Sequence, residues 1–265
     1  MDTEITRLRT LYIEMVKHSV GDFIYDFDGK FTQHKQTPVS YVDLRTGRKH
    51  QLTEYAELKE NGLIGSNVVH TLIGMKRLNQ LQQAVETVLR EGIPGDLIET
   101  GVLRGGACIF MRAILEAYGV RDRIVWAADS FKGFPARTPG AGQLDAEACN
   151  KWAATRAEVE ENFRRYHLFD EQVQILEGWF ADTLPVAPIE ALAVLRLDGD
   201  IYPSTLDALN ALYPKLSTGG YLIVDDYYAF EECRIAVREY RSTHGIRTPL
   251  ERVDPVCVFW RKSEQ

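Results

Sequence analysis

Short apolar runs alternate with helically spaced apolar stripes through most of this 265-residue chain. Runs that predict strands lie at 96–99, 123–129, 172–176, 192–198 and 220–225, and stripes that predict helices at 105–118, 155–166, 203–213 and 229–242. Leu192-Ala193-Val194-Leu195 and Tyr221-Leu222-Ile223-Val224 show no polar alternation. Strands of that kind are buried on both faces, which predicts an α/β fold: a doubly wound, mostly parallel sheet with helices on each side. After the helix at 229–242 the rhythm breaks into two strand-like pieces, 247–253 and 256–261, around Asp254-Pro255. A hairpin there places one antiparallel strand at or near an edge of the sheet.

The first 70 residues read differently. Leu8, Leu11, Met15 and Val16 recur at helical spacing, and polar, turn-rich sequence follows, with Asp28-Gly29 a hairpin turn candidate and Thr46-Gly47 a weaker one. A clearer helix carries Leu78, Leu81, Val85, Val88 and Leu89 and stops at Gly92-Ile93-Pro94-Gly95. The organisation expected is an N-terminal helical and lid extension over 1–70 ahead of a domain over 71–265.

Charge and cysteine usage narrow the classes. A formal charge of −7 argues against a nucleic-acid partner, whose phosphates call for a basic face. No apolar run approaches membrane-spanning length, and the start Met1-Asp2-Thr3-Glu4 is unlike a signal peptide, so a cytoplasmic protein without a membrane partner is expected. Cys108, Cys149, Cys233 and Cys257 are far apart with no C-x-x-C spacing, which suggests neither zinc nor a disulfide framework.

The chemistry begins at Asp96-Leu97-Ile98-Glu99-Thr100-Gly101-Val102-Leu103-Arg104-Gly105-Gly106. A strand ends in an acid, turns on Gly101, and meets Gly105 and Gly106 at the start of a helix. Glycines let backbone approach a ligand, and a helix N-terminus offers N–H groups. A dinucleotide turn reads G-x-G-x-x-G; here an acid precedes the glycine, which would repel a pyrophosphate but suits an ammonium group, such as that of S-adenosylmethionine. Asp129 closes the next strand about 24 residues past the glycine pair, where an acid can accept both ribose hydroxyls. Thr100 and Ser130 sit beside the two acids. Gly178-Trp179 follows the third strand, where an indole could wall an adenine, and Thr71 and Met75 could reach the methionine end. A sheet that closes with a hairpin is also typical of methyltransferases using this donor and unlike two-half dehydrogenases.

Acids also end the fourth and fifth strands, in Leu197-Asp198-Gly199-Asp200 and Val224-Asp225-Asp226. Carboxyl ends of strands form the ligand crevice of doubly wound folds, and neighbouring strands lie about 4.8 Å apart, so these acids can share one ion. All-oxygen ligation favours Mg²⁺, with Mn²⁺ and Ca²⁺ as alternatives. Asp200 is a fourth acid that could displace one of the other three. A metal lowers the pKa of a bound hydroxyl and a carboxylate can then take its proton, the help an aliphatic alcohol needs as nucleophile. Tyr202, Tyr227 and Tyr228 flank the acids, and Tyr227 is the candidate for an acceptor-binding side chain. His244 reads as part of a solvated helix end.

These motifs together resemble the macrocin O-methyltransferase family, which methylates sugar hydroxyls of natural products. The similarity runs from about Leu11 to Arg261 and includes Glu177-Gly178-Trp179-Phe180, Leu195-Arg196-Leu197-Asp198-Gly199-Asp200 and Ile223-Val224-Asp225-Asp226-Tyr227. The resemblance implies a class I S-adenosylmethionine-dependent fold, a glycoside acceptor and a homo-oligomer (dimer or tetramer). It implies Mg²⁺ held by Asp198, Asp225 and Asp226, with Asp198 also the general base, and the donor held by Glu99, the glycine turn and Asp129. Leu103 stands where the family usually has Trp, and His167 where it has Gly. Residues 135–157, shorter than in the macrolide enzymes, read as a lid over the acceptor. The rival readings are a catechol-like phenol O-methyltransferase, an NAD-dependent oxidoreductase and a binder without catalysis.

Overall fold

A computed structural model describes residues 3–24, 39–43, 48–52, 55–63, 69–134 and 153–264. Most of the expected lid, and the turns at Asp28-Gly29 and Thr46-Gly47, lie outside those residues. Helix α1 (Thr3–Val20) is followed by strands β1 (Val39–Asp43) and β2 (Arg48–Leu52), an antiparallel pair on either side of the weak turn signal at Thr46-Gly47, where the pattern of the chain predicts no strands. Helices α2 (Tyr55–Glu60) and α3 (Met75–Arg90) lead into the main domain.

There the alternation appears as expected: β3 (Asp96–Thr100), α4 (Gly106–Ala117), β4 (Val125–Asp129), α5 (Arg156–Arg165) and β5 (Val173–Glu177). The short α6 (Phe180–Thr183) precedes β6 (Leu192–Leu197), α7 (Tyr202–Leu212), β7 (Leu216–Val224), α8 (Glu231–Thr243), β8 (Glu251–Arg252) and β9 (Val258–Arg261).

Seven strands form one sheet in the order β5-β4-β3-β6-β7-β9-β8. The first five are mutually parallel; β9 runs antiparallel to β7, and β8 antiparallel to β9. The closing hairpin is therefore present, but β8 holds only Glu251 and Arg252 of the expected 247–253. Pro249 has no N–H to give to a ladder, so pairing starts after it.

Successive strand residues point to opposite faces. Leu97, Val125, Ala127 and Val194 pack with α1, α3, α4 and α5, while Ile98, Trp126, Ala128 and Leu195 pack with α7 and α8. The N-terminal helix joins the first of these cores, yet not by the stripe its spacing suggests. Ile13, Val16, Lys17 and Val20 are buried, whereas Leu8, Leu11 and Met15 face outward. Lys17 shares the inward face with its charge satisfied: its ammonium bonds Glu14 at 2.5 Å and Asn79 on α3 at 2.8 Å. Cys108, Cys233 and Cys257 are free and buried, and no helix among the described residues is long and apolar enough to cross a membrane.

Candidate active site

Strand order reverses between β3 and β6, and in open α/β sheets the crevice beyond such a switch point holds the ligand. A cleft of about 300 Å³ opens there. It is lined on one side by Thr71, Glu99, Gly101, Leu103, Asp129, Ser130, Gly178 and Trp179, and on the other by Asp198, Asp200, Asp225 and Asp226. Thus most of the candidate residues, from six separate segments, meet in one place. Thr100, Met75, Gly105 and Tyr227 are not among its lining residues. Thr100 is buried in β3, Met75 packs against the core at the head of α3, and Gly105 is the N-cap of α4 at φ 84°. Tyr227 is buried with its ring edge-on to Tyr228. Tyr202 donates to Glu239 on the surface, and His244 stacks on Tyr240 at the end of α8.

The donor side is shaped by backbone. Gly101 has φ 86°, and a Cβ there would run into the Asp198 carbonyl. Asp129 accepts from the Val102 N–H at 2.9 Å and the Phe131 N–H at 2.8 Å; burial raises its carboxyl above the ordinary range despite those bonds. The start of α4 is less open than its sequence suggests. The Gly106 N–H donates to the His70 carbonyl at 2.9 Å, and the His70 and Thr71 N–H groups donate to the Val20 carbonyl that ends α1. His70 and Ser19 also meet at the Tyr166 hydroxyl, at 3.0 and 2.9 Å. A helix end already bonded in this way is a poor pyrophosphate cradle, in keeping with the absence of a dinucleotide turn.

The acid side is shaped by charge. Asp198, Asp200 and Asp226 each offer a carboxylate oxygen within 4.8 Å of the others. Asp200 adopts φ 55°, in the left-handed region that favours glycine, as does Leu103 across the cleft at φ 47°. Burial first, then repulsion from Asp198 and Asp225, pushes the Asp200 carboxyl up to about 8. Burial and the neighbouring aspartates raise Asp226 as well, and Asp198 less. Asp225 has a different environment from the one expected of a third ligand. Arg77 holds one of its oxygens at 2.5 Å, and Arg196 holds the other.

Those two arginines bind the acids of the cleft, and the pattern of the chain singles out neither. Arg196 lies in the otherwise apolar β6, directly opposite Glu99 of β3 in the ladder. Its Nη1 donates to Glu99 at 2.9 Å and to Asp198 at 2.7 Å, and its Nη2 to Asp225. Burial opposes its charge, but Asp225, Asp198 and Glu99 outweigh that effect and keep it protonated. Arg77 also donates to Asp254 of the C-terminal hairpin at 2.6 Å. Glu99 completes its bonding with the Cys108 thiol at 3.1 Å, and burial pushes its carboxyl up to about 7. A lone arginine inside a buried strand, followed by acids, was the available signal for Arg196. Arg77 gave none, because a charged helix residue normally faces water.

A 3-2-1-4-5-7-6 order of the seven sheet strands, with a donor turn on one side of the switch point and acids on the other, defines a class I S-adenosylmethionine-dependent O-methyltransferase. The chain belongs to the macrocin O-methyltransferase family, whose family model (Macrocin-O-methyltransferase, TylF) matches residues 9–262. It is 47% identical over 260 residues to the mycinamicin III 3''-O-methyltransferase of Micromonospora griseorubida, covering 96% of each protein. It is 52% identical over 200 residues to the 8-demethyl-8-(2,3-dimethoxy-alpha-L-rhamnosyl)-tetracenomycin-C 4'-O-methyltransferase of Streptomyces olivaceus, covering 74% of this chain and 76% of that one. The structure of the O-methyltransferase NovP superposes with a TM-score of 0.84 at 44% identity, over 97% of this chain and all of that one. Membership removes the oxidoreductase and the non-catalytic binder from the readings.

Proposed function

We propose that this enzyme transfers the methyl group of S-adenosylmethionine to a sugar hydroxyl of a glycosylated secondary metabolite, with a divalent cation, Mg²⁺ by preference, as cofactor. The observation that carries the reading is the carboxylate trio Asp198, Asp200 and Asp226, facing the cleft that also holds the donor turn. The relatives are named for O-methylation of mycinamicin III and of a rhamnosyl tetracenomycin C.

The trio fits a hard cation. Three oxygens from three residues converge, and neither Asp200 nor Asp226 has an ion pair among the described residues. Asp198, Asp200 and Asp226 would hold the ion, with Asp225 behind them between its arginines. When bound it would orient the acceptor hydroxyl and ease loss of its proton. Glu99, the Gly101 turn and Asp129 hold the donor, with Thr71 toward the methionine end and Trp179 against the adenine. As the acceptor oxygen forms its bond to the methyl carbon, the sulfur–carbon bond breaks and S-adenosylhomocysteine leaves. Asp198 takes the hydroxyl proton.

One observation favours a second reading of the base. Arg196 already draws on Asp198, whereas Asp200 faces the same cleft without an ion pair; in that reading the proton passes to Asp200. Comparing the single-turnover rates of Asp198→Asn and Asp200→Asn decides between them, the base being the one whose loss removes the pH dependence.

The function itself is tested by incubating the enzyme with S-adenosylmethionine, Mg²⁺ and a panel of glycosylated metabolites, with mass gain of one methyl as the readout. Transfer that survives exhaustive chelation would remove the cation. Methylation of catechols in place of sugars would move the activity to the phenol alternative.

A further inference from the structure

We infer that Arg196 is a positioning residue that sets the cofactor end and the cation end of the cleft from one guanidinium. The inference rests on the reading of Asp198, Asp200 and Asp226 as the cation site. Three observations carry it. Nη1 is shared between Glu99 at 2.9 Å and Asp198 at 2.7 Å, so neither carboxylate can move without changing the bond to the other. Nη2 is taken by Asp225, whose other oxygen is held by Arg77, so the fork cannot swing to follow one partner. The group is buried, as are Glu99 and Asp225, so water does not substitute for a lost contact.

The geometry has a purpose at Asp198. That residue follows the end of β6 and precedes Gly199 and the left-handed Asp200, so backbone alone does not fix its side chain. Its carboxylate has to keep an oxygen within 4.8 Å of those of Asp200 and Asp226. Arg196 binds Oδ2 and anchors the carboxylate within reach of Asp200 and Asp226. Glu99, across the ladder, fixes Arg196 in turn. A planar fork with several fixed donors can do this; an ammonium on a flexible stem holds the charge but not the directions.

Arg196→Lys therefore tests position with charge retained. Mn²⁺ binding, followed by electron paramagnetic resonance, and S-adenosylhomocysteine binding, followed by calorimetry, give two readouts that do not need turnover. Once circular dichroism shows the variant folded, Mn²⁺ affinity should fall by about tenfold or more, the usual effect of losing a group that orients a ligand. In an Asp198→Asn background the same substitution should change Mn²⁺ affinity by less than about twofold, because the anchored group is gone. Glu99→Asp serves if Arg196→Lys does not fold. It keeps the charge but shortens the arm on the far side of the fork, and should weaken Mn²⁺ binding by about fivefold although Glu99 is not in the trio. Unchanged Mn²⁺ affinity in Arg196→Lys, or in Glu99→Asp where that variant has to serve, would overturn the inference and leave the cation reading intact. Failure of the wild-type enzyme to bind Mn²⁺ at all would overturn both.

Discussion

The two walls of the cleft are built by different means. The donor wall, from β3 to β5, is fixed by backbone: Gly101 packed on the Asp198 carbonyl, Asp129 bonded by N–H groups, and Gly106 bonded to His70. The opposing wall, at the ends of β6 and β7, is fixed by side chains whose charges nearly exhaust two arginines and leave three carboxylates together. One wall should therefore fail through steric change, and the other through change of charge, pH or ions.

The largest break should come at Gly101. Gly101→Ala places a side chain at φ 86° against backbone that cannot yield, at a cost of about 3 kcal/mol from the two effects together. Chemical denaturation should show the loss, with donor binding abolished. Next is the acid wall: Asp226→Asn should lower turnover by about 100-fold or more, while S-adenosylhomocysteine affinity changes little. A matching loss of donor affinity would erase the contrast between the walls.

A smaller effect concerns pH. Asp200 and Glu99 keep protons in the folded chain, up to about 8 and about 7, that the unfolded chain releases near its ordinary carboxyl values. Folding thus takes up protons across that window, so without cation the stability should fall as pH rises from about 5 to about 8, by up to ~1.4 kcal/mol per proton per pH unit, and the melting temperature with it. Added Mg²⁺ should raise it more at the high end, since its ligands must be ionised. Thermal melts with and without Mg²⁺ at both ends check this. The smallest is His167→Gly: His167 stands at φ 57°, where glycine is free of strain, and the change should stabilise the chain by about 1 kcal/mol.

The same contrast explains what could be read in the chain. The parallel sheet, the closing hairpin and the donor turn follow from apolar runs, glycines and strand-end acids, which are local signals. Asp129, Glu99 and Asp198 stand out in the chain because each lies at or next to the end of a strand. The roles of Arg77 and Arg196 depend on which acids the ladder and the α3 packing bring alongside, as does the exchange of Asp225 for Asp200 in the trio. Apart from the lone arginine inside the apolar β6, none of these has a local signature. The stripe of α1, of which only Val16 is buried, misled for a related reason: spacing shows that a helix has two faces, but packing against other elements decides which one turns inward.

The bonds from Val20 through His70 to Gly106 make the first helix a doorpost beside the glycine turn, the site proposed for the methyl donor. Shortening the chain from its front end to obtain a smaller catalyst would strip away that support. The trimmed enzyme should lose its grip on the donor well before its sheet unravels.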